Sequence, residues 1–141
     1  MKFKILYGGQ IKKSKGDFSI HFKILEEDEN IPFISLYPEQ FNKDLSNLIN
    51  PDDIVIDTKK PPKLEIDYPL TQPFVIQLDK SKWTRYEIAK KIGQLYQQIY
   101  KEELQGPEKK YGIYGHSLGD LVLVLIKYNK KKNLLTLSVD S

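Results

Sequence analysis

No cysteine occurs anywhere in these 141 residues. That single absence excludes disulfides, thiolate nucleophiles, zinc ribbons and iron–sulfur ligation. It suits a reducing compartment, and a cytoplasmic, intracellular location is the expectation. Long apolar runs are missing too: none approaches the roughly 20 residues that a membrane span requires, so no membrane association is expected. The opening Met1-Lys2-Phe3-Lys4-Ile5-Leu6-Tyr7 has lysines but no apolar stretch of roughly 7–15 residues behind them, and does not read as a secretory signal. Arginine is almost absent, with Arg85 the single one among 22 basic residues. Lysine is a mobile point charge and lacks the planar fork that grips phosphate or guanine at two points. Alanine is equally scarce, Ala89 alone, beside abundant Lys, Ile, Asn and Tyr. An AT-rich genome produces that bias, which points to a low-GC bacterium, a protist or a large DNA virus.

What remains is a globular composition, 40% hydrophobic and 29% charged, with a net charge of only +3. The length fits one domain able to bury a core without cross-links. Lys59-Lys60-Pro61-Pro62 is the most linker-like stretch, and a weak lobe boundary near 59–62 is the one division considered. The parts on either side are small for independent domains, so a single domain over 1–141 is expected.

The first half reads as short strands. Lys2 to Tyr7 is one candidate. Residues 18–25 alternate, with Phe18, Ile20, Phe22 and Ile24 on one face and Ser19, His21 and Lys23 on the other. Gly8-Gly9 and Lys15-Gly16-Asp17 would allow a long hairpin between these two. An acidic tip, Glu26 to Asn30, turns into a third strand from Ile31 to Tyr37. Pro38 opens a short helix over about 38–49 through Phe41, Leu45, Leu48 and Ile49. Ile54–Asp57 and Phe74–Leu78 are further strands.

A long helix over about 85–104 is the clearest element. Thr84 and Glu87 have the spacing of a capping box. Ile88, Ile92, Leu95 and Ile99 form one apolar stripe, and Ala89, Gly93, Tyr96 and Tyr100 a second beside it. Gly106-Pro107 closes it. Leu121–Tyr128 is apolar on both alternating faces up to Lys127, as in a strand covered on both sides. Leu134–Val139 pairs back across Asn129–Asn133 as a C-terminal hairpin. The fold class predicted is α+β, a mainly antiparallel sheet with the long helix packed on it and one short helix.

Gly115-His116-Ser117-Leu118-Gly119 has the Gly-x-Ser-x-Gly form of the hydrolase nucleophile elbow. Yet no histidine follows Ser117, and the branched stretch after Gly119 favours a strand over the helix an elbow needs. A serine without an activating base is a weak nucleophile, so the segment reads as a glycine-permitted turn between two strands. His116, Ser117 and Asp120 still form a polar cluster within the Gly112–Asp120 turn, with His116 the candidate acid/base. The two histidines and scattered carboxylates have no ligand spacing, and neither metal nor cofactor is expected. Lysine pairs at 12–13, 59–60, 90–91, 109–110 and 130–132 fall on different elements, so nucleic acid is not the expected partner. Tyr96, Tyr100, Tyr111 and Tyr114 are candidate interaction residues, because tyrosine suits half-buried interface positions. The tail from Tyr111 to Ser141 resembles the end of some short proteins of bacteria and large DNA viruses. That resemblance implies only that the helix and terminal hairpin form one unit.

Three functions follow, in order of preference. The first is a non-catalytic protein-interaction or structural domain, a small subunit with a protein partner or self-association. The second is a small enzyme or ligand-binding protein using the Gly112–Asp120 turn and His116. The third is nucleic-acid binding.

Overall fold

The Thr84 hydroxyl and Glu87 carboxylate face each other across the first turn of the long helix. The Glu87 backbone N–H donates to Thr84 Oγ1 at 3.0 Å and the Thr84 N–H to Glu87 Oε1 at 2.9 Å. Two amides that a helix start leaves unpaired are thereby satisfied, as the sequence spacing indicates. The computed structural model describes residues 16–105 and 110–141 of the chain. The expected strand at Lys2–Tyr7, the Gly8-Gly9 turn and the closing Gly106-Pro107 lie outside those residues.

Ten strands and two α-helices make up the described fold, which is α+β. In chain order the strands are β1 (Phe18–His21), β2 (Ile24–Glu26), β3 (Glu29–Ile31), β4 (Ile34–Ser35), β5 (Ile54–Asp57), β6 (Lys63–Ile66), β7 (Phe74–Gln77), β8 (Lys82–Thr84), β9 (Val122–Asn129) and β10 (Leu134–Asp140). The helices are α1 (Pro38–Ser46) and α2 (Arg85–Gln105). The main sheet runs β1-β9-β10-β6-β7, with β4 also paired to β9 beyond the end of β1. It is antiparallel except where β10 meets β6. Small two-stranded ladders join β2 to β3 and β5 to β8.

The alternation at 18–25 is real, because Ile20, Phe22 and Ile24 are all buried. The strand itself is not continuous. Phe18–His21 pairs with β9, whereas Ile24–Glu26 leaves the sheet to pair with β3 across a tight turn where Glu27 and Asp28 take positive φ. The expected third strand at 31–37 divides in the same way, since β3 belongs to that hairpin and β4 to β9. Pro32 stands between them without an amide to offer a ladder. The short helix stops at Ser46 rather than near 49. Beyond it the chain runs beside β2: Leu25 N–H donates to the Asn47 carbonyl and Ile49 N–H to the Lys23 carbonyl.

The apolar run at the start of β9 has a different cause from the expected cover on both faces. Between Leu123 and Leu125 the register with β10 shifts, leaving Val124 as an extra residue. This bulge changes the parity of the strand, so Leu121 and Leu123 before it and Ile126 and Tyr128 after it all reach the buried side. Val122, Val124 and Leu125 are only half-buried.

Both stripes of α2 are buried in the core shared with Leu64, Ile66, Ile126 and Leu135 of the sheet. Each such aliphatic side chain contributes about 1.5–3 kcal/mol on leaving water. Gly93 has a steric reason, since a Cβ there would strike the buried Phe41 ring of α1. Asp44 of α1 is buried as well. Its carboxylate accepts the Ser35 N–H and the Gln40 amide, both at 2.8 Å, and so ties α1 to β4. Arg85, the single arginine, donates to the carbonyls of His21 and Asn50 and reaches Asp53 at 3.4 Å. Its guanidinium joins β1, the segment after α1 and the start of α2.

Candidate functional site

Three residues on one line of α2, Tyr96, Tyr100 and Glu103, hold the residues of the candidate site in place. All three are buried, and their spacing of four and three stacks them along one helix face. The Tyr96 hydroxyl donates to the Tyr68 carbonyl at 2.6 Å, and the Tyr100 hydroxyl donates to the His116 carbonyl at 3.1 Å. Glu103 receives the backbone amides of Tyr111 and Ile113, each at 3.0 Å, one on each carboxylate oxygen. One helix therefore anchors the 68–69 segment and both ends of 111–116. Burial pushes the Tyr100 phenol up to about 12, with the Asp120 charge adding to it, and pushes Tyr96 higher still. Both remain neutral donors at ordinary pH. The amide of Tyr111, with those of neighbouring residues, holds the Glu103 carboxyl below its ordinary value.

Gly112 and Gly115, with φ of 67° and 74°, let the segment leave α2 and return. At Gly112 a Cβ would also collide with the Thr71 side chain, so both backbone conformation and space require glycine. Thr71 N–H donates to the Gly112 carbonyl and Gln72 N–H to that of Tyr111, which fastens the segment to the loop before β7. A 3₁₀ turn, Leu118–Asp120, then leads into β9.

His116 Nε2 lies 2.8 Å from the Tyr68 hydroxyl, which also lies 2.9 Å from Ser141 Oγ. On its other side Nδ1 is 4.0 Å from Asp120 Oδ2, and the imidazole is 30% exposed. When Nδ1 carries the proton it faces the Asp120 carboxylate, and Nε2 accepts from Tyr68. His116 and Ser117 line a groove of about 470 Å³ between α2 and this segment, with Gln97, Lys101 and Glu103 on the α2 side. Pro38, Leu104, Ile113 and Leu118 supply its apolar walls. A mostly apolar concavity with a few convergent polar groups is the usual form of a small-molecule site.

The sequence candidates separate clearly here. His116, Ser117 and Asp120 do come together, but Ser117 is not at a nucleophile elbow. Its backbone is ordinary extended chain, with φ −85° and ψ 164°, and its N–H donates to Asp120 Oδ2 at 3.2 Å. The His116 imidazole hydrogen-bonds Tyr68 instead of activating a hydroxyl in the serine-hydrolase manner. Nor is the segment a turn between two strands, since before Ser117 only Ile113 forms a single bridge, to Leu70. Of the four tyrosines taken as interaction residues, Tyr96, Tyr100 and Tyr111 belong to the core. The Tyr111 hydroxyl donates to Glu102, and that bond first of all pushes the phenol up to about 12. Tyr114 alone is exposed, at 48%, with its ring edge-on to Tyr68. His21 lies exposed on β1.

Two residues of this site are absent from the sequence reading. Glu103 continues the Ala89-Gly93-Tyr96-Tyr100 stripe by one more step, and a carboxylate ending an apolar stripe is a readable sign of a buried acceptor. Tyr68 carries no such sign, because only the tertiary fold brings it across 48 positions to His116. Among the described residues no group of three or more His, Asp or Glu side chains could hold a metal ion, and no helix is long and apolar enough to cross a membrane. Comparison of the chain with family models, with curated proteins and with solved structures finds no match in any of the three.

Proposed function

We propose that the chain is a small ligand-binding domain whose site is the groove between α2 and the Gly112–Asp120 segment. The observation that carries this reading is His116, buttressed by Tyr68 at 2.8 Å, in the lining of a mostly apolar concavity that Gln97, Lys101 and Glu103 of α2 also border. The occupant would be a compact, largely apolar molecule with one polar group facing His116 and Ser117. An imidazole offers it either a donor or an acceptor, according to which nitrogen holds the proton. Tyr96, Tyr100 and Glu103 hold the backbone on which these groups stand, and such preorganisation lowers the entropic cost of binding.

A thermal-shift screen with amphiphilic fragments tests the proposal. A ligand of the groove at a hundredfold excess over its Kd stabilises the wild-type fold by about 2.7 kcal/mol. The variant Leu104→Asp places a charge on the apolar wall and should lose that response while keeping its fold. Equal stabilisation of both proteins would mean that the fragments bind elsewhere.

A protein-interaction role is the second reading, favoured by Leu104. This side chain is 78% exposed on the groove margin, and Tyr37 and Tyr114 are also large and exposed. An apolar patch edged by polar groups suits a partner's side chain as well as a small molecule. Light scattering combined with affinity capture from the native source separates the readings: a stoichiometric protein lost on Leu104→Asp supports the second.

A further inference from the structure

The polar groups that border the groove are unevenly committed. Glu103 is the only carboxylate among the described residues that line it, and both oxygens are taken. They accept the Tyr111 and Ile113 amides at 3.0 Å, and the amides of Lys110 and Gly112 are turned to the same carboxylate. The Tyr100 hydroxyl donates to the His116 carbonyl at 3.1 Å. Ser117 is different. Its backbone N–H is bound by Asp120 Oδ2, but its hydroxyl donates to no group among the described residues. The His116 ring adds a second open donor. Tyr68 lies 2.8 Å from Nε2, whereas Asp120 Oδ2 is 4.0 Å from Nδ1, beyond hydrogen-bond length. With the proton on Nδ1, where the Asp120 charge favours it, that N–H donates to no group among the described residues. Lys101 adds donors and no acceptor, and Gln97 adds one group of each kind.

The open groups of the lining are thus mainly donors. An amine head would find only the Gln97 carbonyl to accept from it. A carboxylate head would meet Lys101, but also the negative charges of Glu103 and, beside His116, of Asp120. On the reading of the groove as a ligand site, we propose that its occupant is a neutral carbonyl compound, an apolar ketone or ester whose oxygen accepts from the Ser117 hydroxyl. A carbonyl oxygen has two lone pairs and no hydrogen, so it serves such donors and requires no acceptor in return. Pro38, Leu104, Ile113 and Leu118 cover the hydrocarbon part.

Titration of the full chain with methyl hexyl ketone, octanoate and octylamine near neutral pH is the test. These probes share one carbon count and differ in the head group, and backbone amide shifts give a Kd for each and show where it binds. The ketone is expected to shift Leu104, Ile113 and Leu118 saturably. It should bind roughly tenfold more tightly than the other two, because a charged head leaves water at a loss unless it is paired. In Ser117→Ala the ketone should weaken by roughly fivefold, the size of one neutral hydrogen bond, while octanoate and octylamine stay unchanged. Ser117 is exposed, and Ser117→Thr, which keeps a hydroxyl, should bind the ketone as the wild type does. The proposal is overturned by a charged probe that binds as tightly as the ketone, by a ketone that ignores Ser117→Ala, or by equal loss of all probes in that variant. Failure of the ketone alone overturns the carbonyl assignment and leaves the groove as a ligand site; silence of the groove signals with every probe and every fragment overturns both.

Discussion

Glu103 shows how much one side chain can organise. Its carboxylate is buried at the last described turns of α2 and accepts the amides of Tyr111 and Ile113, so the returning segment is shaped around a negative charge. The Tyr111 amide is the largest cause of its lowered pKa, and for Glu102 beside it the Tyr111 hydroxyl plays that part. Both folded-state values lie below the ordinary carboxyl value of 4.5. Their stabilising contribution is therefore complete above that value and is lost as pH falls through the lowered ones. Thermal melts across the acid range should show a midpoint that declines below pH 4.5 in the wild type. In Glu103→Gln the midpoint should already be lower at pH 7 and depend less on pH in the acid limb; a variant that follows the wild type at every pH would contradict this role. At this scale the sequence was informative about polar residues that end or cap a periodic pattern, such as Thr84, Glu87 and, on a longer view of the stripe, Glu103. It was silent about Tyr68 and Asp44, whose partners are set by tertiary packing.

Among the elements, α2 was the most legible because several signals coincide over its length: a capping box, two apolar stripes and helix-favouring residues between them. The cap has a measurable share. Thr84→Ala should lower the unfolding free energy by about 1 kcal/mol in a denaturant titration, with an unchanged slope. An unaltered midpoint would mean that tertiary packing alone holds the first turn. Short strands were harder to read, for identifiable reasons. β6, Lys63–Ile66, follows two prolines that look like a linker, and β8, Lys82–Thr84, is three residues that run directly into α2. Neither is long enough for alternation to stand out. In residues 18–25 and 31–37 the pattern of buried faces was correct, but pattern alone does not say where a chain changes partners. Between Phe22 and Ile24 one strand leaves β9 for a separate hairpin without interrupting its apolar alternation. The bulge at Val124 has the opposite effect, presenting a local change of parity as a strand apolar on both faces.

For the whole molecule, the packing of α2 against α1 and the sheet explains why a groove exists where it does. Gly93 lets the Phe41 ring approach, which brings Pro38 at the start of α1 into the groove lined by Leu104 and the Gly112–Asp120 segment. The polar turn around His116 was legible as a candidate in the sequence. Its apolar surroundings were not, because they come from α1, α2 and the 3₁₀ turn together.

Whether the groove beside His116 takes a ligand is tested by nuclear magnetic resonance of isotopically labelled protein. An amphiphilic fragment selected by thermal shift would be titrated while backbone, methyl and imidazole signals are followed. Saturable changes are expected at Tyr100, Leu104, Ile113, His116 and Leu118, with His116→Ala weakening the affinity and leaving the rest of the spectrum in place. Fragments that shift only residues remote from this groove, or bind equally well without the imidazole, would contradict a ligand site here.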